Sequence, residues 1–176
     1  MRLERLTDKN HPMYHNALAL YSISFPDHEQ RERTSQDKIL KDDEYHFDLI
    51  DDGEAFIGLA LYWETECFIY VEHFCILPEM RNKGYGKNVL GLLGKKGKKV
   101  ILEIDPPVDD ISIRRKGFYE RCGFAKNPYP HVHPPYHKGN AGHDLVIMSF
   151  PEEIELSEYV HFKDYLECHV MKDVLW

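Results

Sequence analysis

Tyr70-Val71-Glu72-His73-Phe74-Cys75-Ile76-Leu77-Pro78-Glu79-Met80-Arg81-Asn82-Lys83-Gly84-Tyr85-Gly86 is the stretch on which the fold of this 176-residue chain turns. An apolar strand, spaced over residues 67–77, halts at Pro78. A short loop with Arg-x-x-Gly-x-Gly follows, and residues 87–93 are the apolar text of a helix. The first N–H groups of a helix have no acceptor within it, and the helix dipole adds partial positive charge at that end. Glycines allow an anion to approach the backbone without a Cβ in the way. Arg81, Lys83 and Lys87 add formal positive charge. The stretch therefore predicts an anion site. It lacks the third glycine of the dinucleotide fingerprint and the Gly-Lys-Ser/Thr of the Walker loop.

Working outward, residues 99–104 read as a buried strand, 111–121 as a helix, and Gly123-Phe124 as the opening of another strand. Residues 129–142 read as a Pro-, His- and Gly-rich loop, and 145–150 as the last core strand. Upstream, residues 3–6 suit a strand, and 13–23 have helical spacing that Pro26 ends. Residues 28–41 are polar and helical in pattern. Residues 45–50 and 54–65, separated by the turn signal Asp51-Asp52-Gly53, are strands. The pattern predicts one domain over residues 1–150, with a helical extension over 151–176. In that extension Ser157 is the expected N-cap, and Tyr159, Phe162, Leu166 and Val170 recur at helical spacing.

A net charge of 22 − 30 = −8 argues against nucleic acid as a partner and mildly favours a cationic small molecule. Hydrophobic content of 43% is that of a globular chain. No apolar run reaches the roughly 20 residues of a membrane span, and the charged start lacks a signal-peptide block, so no membrane partner and a cytoplasmic location are expected. The four cysteines are widely spaced, without a Cys-x-x-Cys pair, and read as reduced thiols.

Arg81-x-x-Gly84-x-Gly86 after an apolar strand resembles the central acetyl-CoA motif of the GNAT superfamily of N-acetyltransferases. Phe118-Tyr119-Glu120-Arg121-Cys122-Gly123-Phe124 resembles that family's second motif, Phe-Tyr-x-x-x-Gly-Phe, one strand and one helix downstream. The resemblance implies an α/β (α+β) fold with a mixed, mostly antiparallel sheet splayed at its centre and flanked by helices. It implies acetyl-CoA as co-substrate, with pantetheine pairing to the backbone of Phe74, Ile76 and Leu77. The pyrophosphate would rest on the amides of Arg81, Asn82, Lys83, Gly84, Tyr85, Gly86 and Lys87. Many relatives carry Asn where this chain has Ser112, a shorter hydrogen-bonding side chain. The family attacks directly, with no protein nucleophile, and no metal is expected.

Acylating an amine requires removal of a proton from a group whose pKa is about 10.4, and protonation of the leaving thiolate. Tyr119 is the candidate acid. Glu72 is the first candidate base, because Tyr70–Phe74 resembles the strand of the spermidine/spermine N-acetyltransferases, which carry Glu there. Strict strand alternation would turn only one of Glu72 and His73 to the cleft, and His73 is the base if it is the inward one. The segment from His131 to His143 suits a lid, with His133, Tyr136 and His137 as substrate contacts. Its four histidines lack the cysteine or carboxylate partners of a closed zinc site. The expected activity is acetyl transfer to a primary amine of a small molecule. Alternatives are a peptide or protein lysine acetyltransferase and a non-catalytic CoA sensor. The tail stripe reads as core packing or as a homodimer contact.

Overall fold

The computed structural model describes residues 1–174. Strands β1 (Arg2–Leu6), β2 (Tyr45–Asp51), β3 (Phe56–Glu64) and β4 (Phe68–Ile76) form an antiparallel meander. Helices α1 (Tyr14–Ser24) and α2 (Arg33–Ile39) lie between β1 and β2 in sequence. Helix α3 (Tyr85–Gly94) connects β4 to β5 (Lys99–Ile104), which runs parallel to β4. Helix α4 (Asp110–Arg121), the short strands β6 (Ala125–Lys126) and β7 (His131–His133), β8 (His143–Phe150) and α5 (Leu156–Tyr165) complete the order. The eight-stranded sheet runs β1-β2-β3-β4-β5-β8-β6, and β7 also pairs with β8. It is the mixed, mostly antiparallel sheet that the motifs imply.

Each sheet face buries its own core. Tyr14 and Leu20 of α1, Ile39 of α2 and Phe162 of α5 pack on one face against Phe47, Leu61, Trp63 and Tyr70. Val89 and Leu93 of α3 pack on the other with Ile69, Val71, Val100 and Leu102. Alternation along the strands divides the apolar residues between the two clusters.

The parallel seam between β4 and β5 is short. Phe68 to Val71 pair with Lys99 to Leu102, and the pairing stops there. β5 continues against β8 as far as Ile104↔Val146, while β4 continues against β3 as far as Ile76↔Gly58. The middle of the sheet therefore opens from Glu72 onward.

Three local expectations change. Residues 28–41 are not one helix: a 3-10 turn (Asp27–Glu29) precedes α2, and extended chain between them carries Arg31 into the interior. Residues 129–142 include β7, which pairs with β8 through His131↔Leu145 and His133↔His143. Helix α5 is capped by Glu155, not Ser157: Glu155 and Glu158 form a reciprocal capping box, so the helix starts before the expected cap.

The stripe of the extension faces inward within the same chain. Phe162, Leu166 and Val170 have no exposed surface and join the core containing Phe68 and Tyr70. Leu175 and Trp176 lie outside the described residues. Phe162→Ala is expected to lower the unfolding free energy by about 3–5 kcal/mol in urea denaturation. A loss below about 1 kcal/mol would show that the extension is dispensable to the core.

Candidate active site

The splayed strands enclose a cavity of about 960 Å³. Its walls are β4 from Tyr70 to Ile76, β5 from Leu102 to Ile104, the turn after α1, Tyr119 of α4 and the chain from His133 to Leu145. The lid segment crosses the mouth: His137 Nε2 donates to the Asp27 carbonyl at 2.8 Å.

The glycine loop lies at one end. Asn82 and Gly84 both have left-handed backbone, φ 62 and 83. Asn tolerates that region, and Gly84 occupies it freely as N-cap of α3. No side chain caps this helix, and no acidic residue stands in its first turn. Gly86 packs closely, since a Cβ there would meet Phe118 Cζ at 3.0 Å. The Tyr85 side chain is tied away, its hydroxyl donating to Asp52 at 2.7 Å. The amides opening α3 thus have no side-chain cap, and Arg81 lines the notch beside them.

Backbone pairing revises one expected contact. The Leu77 N–H donates to Ile57 and its carbonyl accepts from Met80, both at 2.9 Å, so both groups are engaged. Alternation then turns Phe74 and Ile76 to the opposite, notch side. The Ile76 carbonyl accepts from Arg81 Nε at 3.1 Å, fixing Arg81 beside the loop. Ser112 also departs from expectation. Its hydroxyl accepts from the Val108 and Asp109 amides at 3.1 Å within the capping box of α4. It is 3% exposed and does not line the cavity.

Glu72 and His73 do not alternate. Leu61 opposes His73 while Tyr62 opposes Val71, leaving Glu72 as the extra residue of a β-bulge. Both side chains turn to the same side, where Tyr136 meets them: its hydroxyl donates to Glu72 at 2.9 Å and its ring lies 5.9 Å from His73. Glu72 also accepts from Arg31 Nε at 3.0 Å and Trp63 Nε1 at 2.8 Å, and pairs with a second Arg31 nitrogen at 2.9 Å. Burial alone would raise its pKa, but Arg31, His73, Trp63 and Tyr136 outweigh it and hold the carboxyl below its ordinary range. His73 packs edge-on to Tyr21 and Phe25, and its Nε2 lies 2.8 Å from the Glu29 carbonyl. A carbonyl only accepts, so Nε2 carries the proton and Nδ1 holds a lone pair.

Tyr119 is 9% exposed, and its hydroxyl has no hydrogen-bond partner among the described residues. Burial pushes its pKa up to about 12. His133 is buried and contacts Tyr136, while His137 sits at the rim.

Arg31, Glu103 and His131 were not singled out by sequence. Glu103 on β5 accepts from Tyr70 at 2.5 Å and is paired with His131. Burial opposes its charge, but His133, His131 and Tyr70 hold its pKa below the ordinary value. A charged residue in the otherwise apolar run 100–104 was the available signal. At the rim, Glu29 is pushed up by partial burial and by the facing charge of Asp105.

The profile of the acetyltransferase (GNAT) family matches residues 10–124, more than half of the chain, and the chain therefore belongs to that family of acyltransferases. A solved GNAT-family protein from Bacteroides thetaiotaomicron is similar over 97% of this chain and 98% of its own, with TM-score 0.87 and 30% identity. The acetyltransferase-like protein YjbC of Bacillus subtilis (strain 168) is 30% identical over 104 residues, 57% of this chain and 52% of that protein. The matched segment thus spans about half the length of this curated relative. An aminoglycoside 6'-N-acetyltransferase complexed with coenzyme A shares the fold, with TM-score 0.57 and 14% identity over 85% of this chain and 96% of that one. Among the described residues no helix is long and apolar enough to cross a membrane.

Glu72 and Glu103 have depressed pKa values in the folded chain. Their contribution to stability is complete above the ordinary carboxylate value of 4.5 and is lost as pH falls through the lower folded values. The urea midpoint is expected to drop steeply below about pH 4.5, with a shallower slope in Glu72→Gln. Equal slopes in the two proteins would remove Glu72 from the acid transition.

Proposed function

We propose that the chain transfers acetyl from acetyl-CoA to a primary amine of a small molecule, by direct attack in a ternary complex. The observation that carries this is that Arg81, which heads the uncapped glycine loop, lines the same notch as Tyr119 and His73. Coenzyme A would place its pyrophosphate on the amides from Arg81 to Lys87 and its pantetheine along Phe74 and Ile76. The covered mouth favours a small acceptor over a lysine on a folded protein, and the acidic wall suits a cation.

His73 is the base in this reading. The lone pairs of Glu72 already accept from Arg31, Trp63 and Tyr136, so Glu72 positions its surroundings. The amine nitrogen attacks the acetyl carbonyl carbon, and its proton passes to His73 Nδ1. The carbon–sulfur bond breaks, and the thiolate takes the Tyr119 hydroxyl proton. Solvent then returns the proton balance of His73 and Tyr119. Tyr119 keeps its proton until a thiolate forms, and the same dry surroundings raise the basicity of that thiolate. His133, Tyr136 and His137 border the acceptor.

Gly86→Val is expected to weaken coenzyme A binding at least tenfold in calorimetry, because its side chain would meet Phe118. Unchanged affinity would remove the loop from the cofactor site. In a free-thiol release assay across polyamines, aminoglycosides, amino acids and peptides, turnover with a small amine is expected. Tyr119→Phe and His73→Gln should each lower kcat by about 10²–10⁴-fold while leaving coenzyme A affinity near that of the unaltered protein. Full activity in either variant would demote that residue to packing, and turnover confined to peptides would overturn the acceptor class.

A further inference from the structure

At the rim of the notch, four side chains from three parts of the chain converge. His28 and Glu29 belong to the 3-10 turn after α1, Asp105 follows β5, and His143 opens β8. His28 Nε2 lies 3.6 Å from Glu29 Oε1, and His143 Nε2 lies 3.4 Å from Asp105 Oδ1. One donor atom from each of His28, Glu29 and His143 falls within 4.8 Å of the other two. The imidazoles of His28 and His143 and the Glu29 carboxylate have no hydrogen-bond partner among the described residues. Arg115 holds Asp105 by Oδ2, which leaves Oδ1 turned to His143.

We infer that this rim is a binding site for a divalent transition metal of the zinc type, ligated by His28, His143, Glu29 and Asp105. Bonds of about 2.0–2.2 Å in a tetrahedron separate neighbouring donor atoms by roughly 3.3–3.5 Å. Two of the separations, 3.6 and 3.4 Å, already stand near that value, and the donor atoms of His28, Glu29 and His143 lie within 4.8 Å of one another. Paired imidazoles with carboxylates select zinc, copper or nickel over magnesium and calcium, which take oxygen ligands. Two carboxylates match the charge of the ion. The supports behind the ligands are fixed: Arg115 on Asp105, His73 on the Glu29 carbonyl, and the β7–β8 pairing behind His143.

The other His–carboxylate group differs. Around Asp42, Glu44 and His169, Lys172 already binds Asp42 and Tyr165 already donates to Glu44, both at 2.9 Å. There both carboxylates already have partners, whereas at the rim only Asp105 does, through Arg115. At the rim, a metal would fasten the base of the lid to the turn after α1 and narrow the entrance. The site does not depend on the identity of the acceptor or on acetyl transfer.

The test uses the full chain, stripped with chelator and titrated with Co²⁺. Visible absorption of tetrahedral Co²⁺ should saturate at one equivalent, and Zn²⁺ should displace it. The double variant H28A/H143A should bind at least tenfold more weakly, while H169A should bind as the unaltered protein does. If the double variant does not fold, as judged by circular dichroism, Glu29→Gln takes its place with the same expected loss. Absence of saturable absorption, or binding unchanged in the rim variants, would overturn the assignment.

Discussion

Arg31 and Glu72 meet in the interior with both side chains fully shielded from solvent, and much of the site is arranged around that contact. The guanidinium also donates to the Val170 carbonyl at 2.8 Å. It stands over the rings of Trp63 and Tyr136, with centroids at 5.7 and 5.6 Å. The pair therefore joins the α1–α2 connection, β3, β4, the lid segment and the C-terminal extension. Burying two charges costs several kcal/mol of lost hydration for each ion, and mutual attraction repays this only in good geometry. One Arg31 nitrogen, Nη1, has no hydrogen-bond partner among the described residues, so the pair is not ideally satisfied. Its value lies in specificity: few other arrangements of these segments could satisfy both charges.

A second buried carboxylate mirrors the first across the notch. Glu103 on β5 is met by Tyr70, His131 and His133, and His133 touches the same Tyr136 that donates to Glu72. The histidine-rich segment is thus part of the interior on its strand side and a cover on its loop side. Tyr136 is where the two polar groups meet, so lid position and the state of Glu72 are physically linked.

The sheet and the glycine loop were legible because they rest on local rules. Strand alternation, Pro78 as a terminator and two glycines before an apolar helix act within a few residues of one another. Arg31 was not legible, because its partners lie 41 and 139 residues away in sequence. Strict alternation gave the wrong geometry for Glu72 and His73, since a bulge depends on the partner strand, whose register no local pattern reveals. Ser112 illustrates a competing use: an aspartate three residues earlier drew its hydroxyl into a capping box before a ligand could claim it. Glu155 displaced Ser157 in the same way, through a reciprocal partner at Glu158.

The four paired positions between β4 and β5 have a mechanical consequence. The meander before α3 and the strands after it meet in the sheet along that one brief ladder. A molecule lodged beyond its end acts as mortar, supplying to both walls the pairing that the peptide chain withholds. Occupancy and cohesion then become two faces of one equilibrium, because whatever binds only the assembled pair of walls weights the population toward assembly.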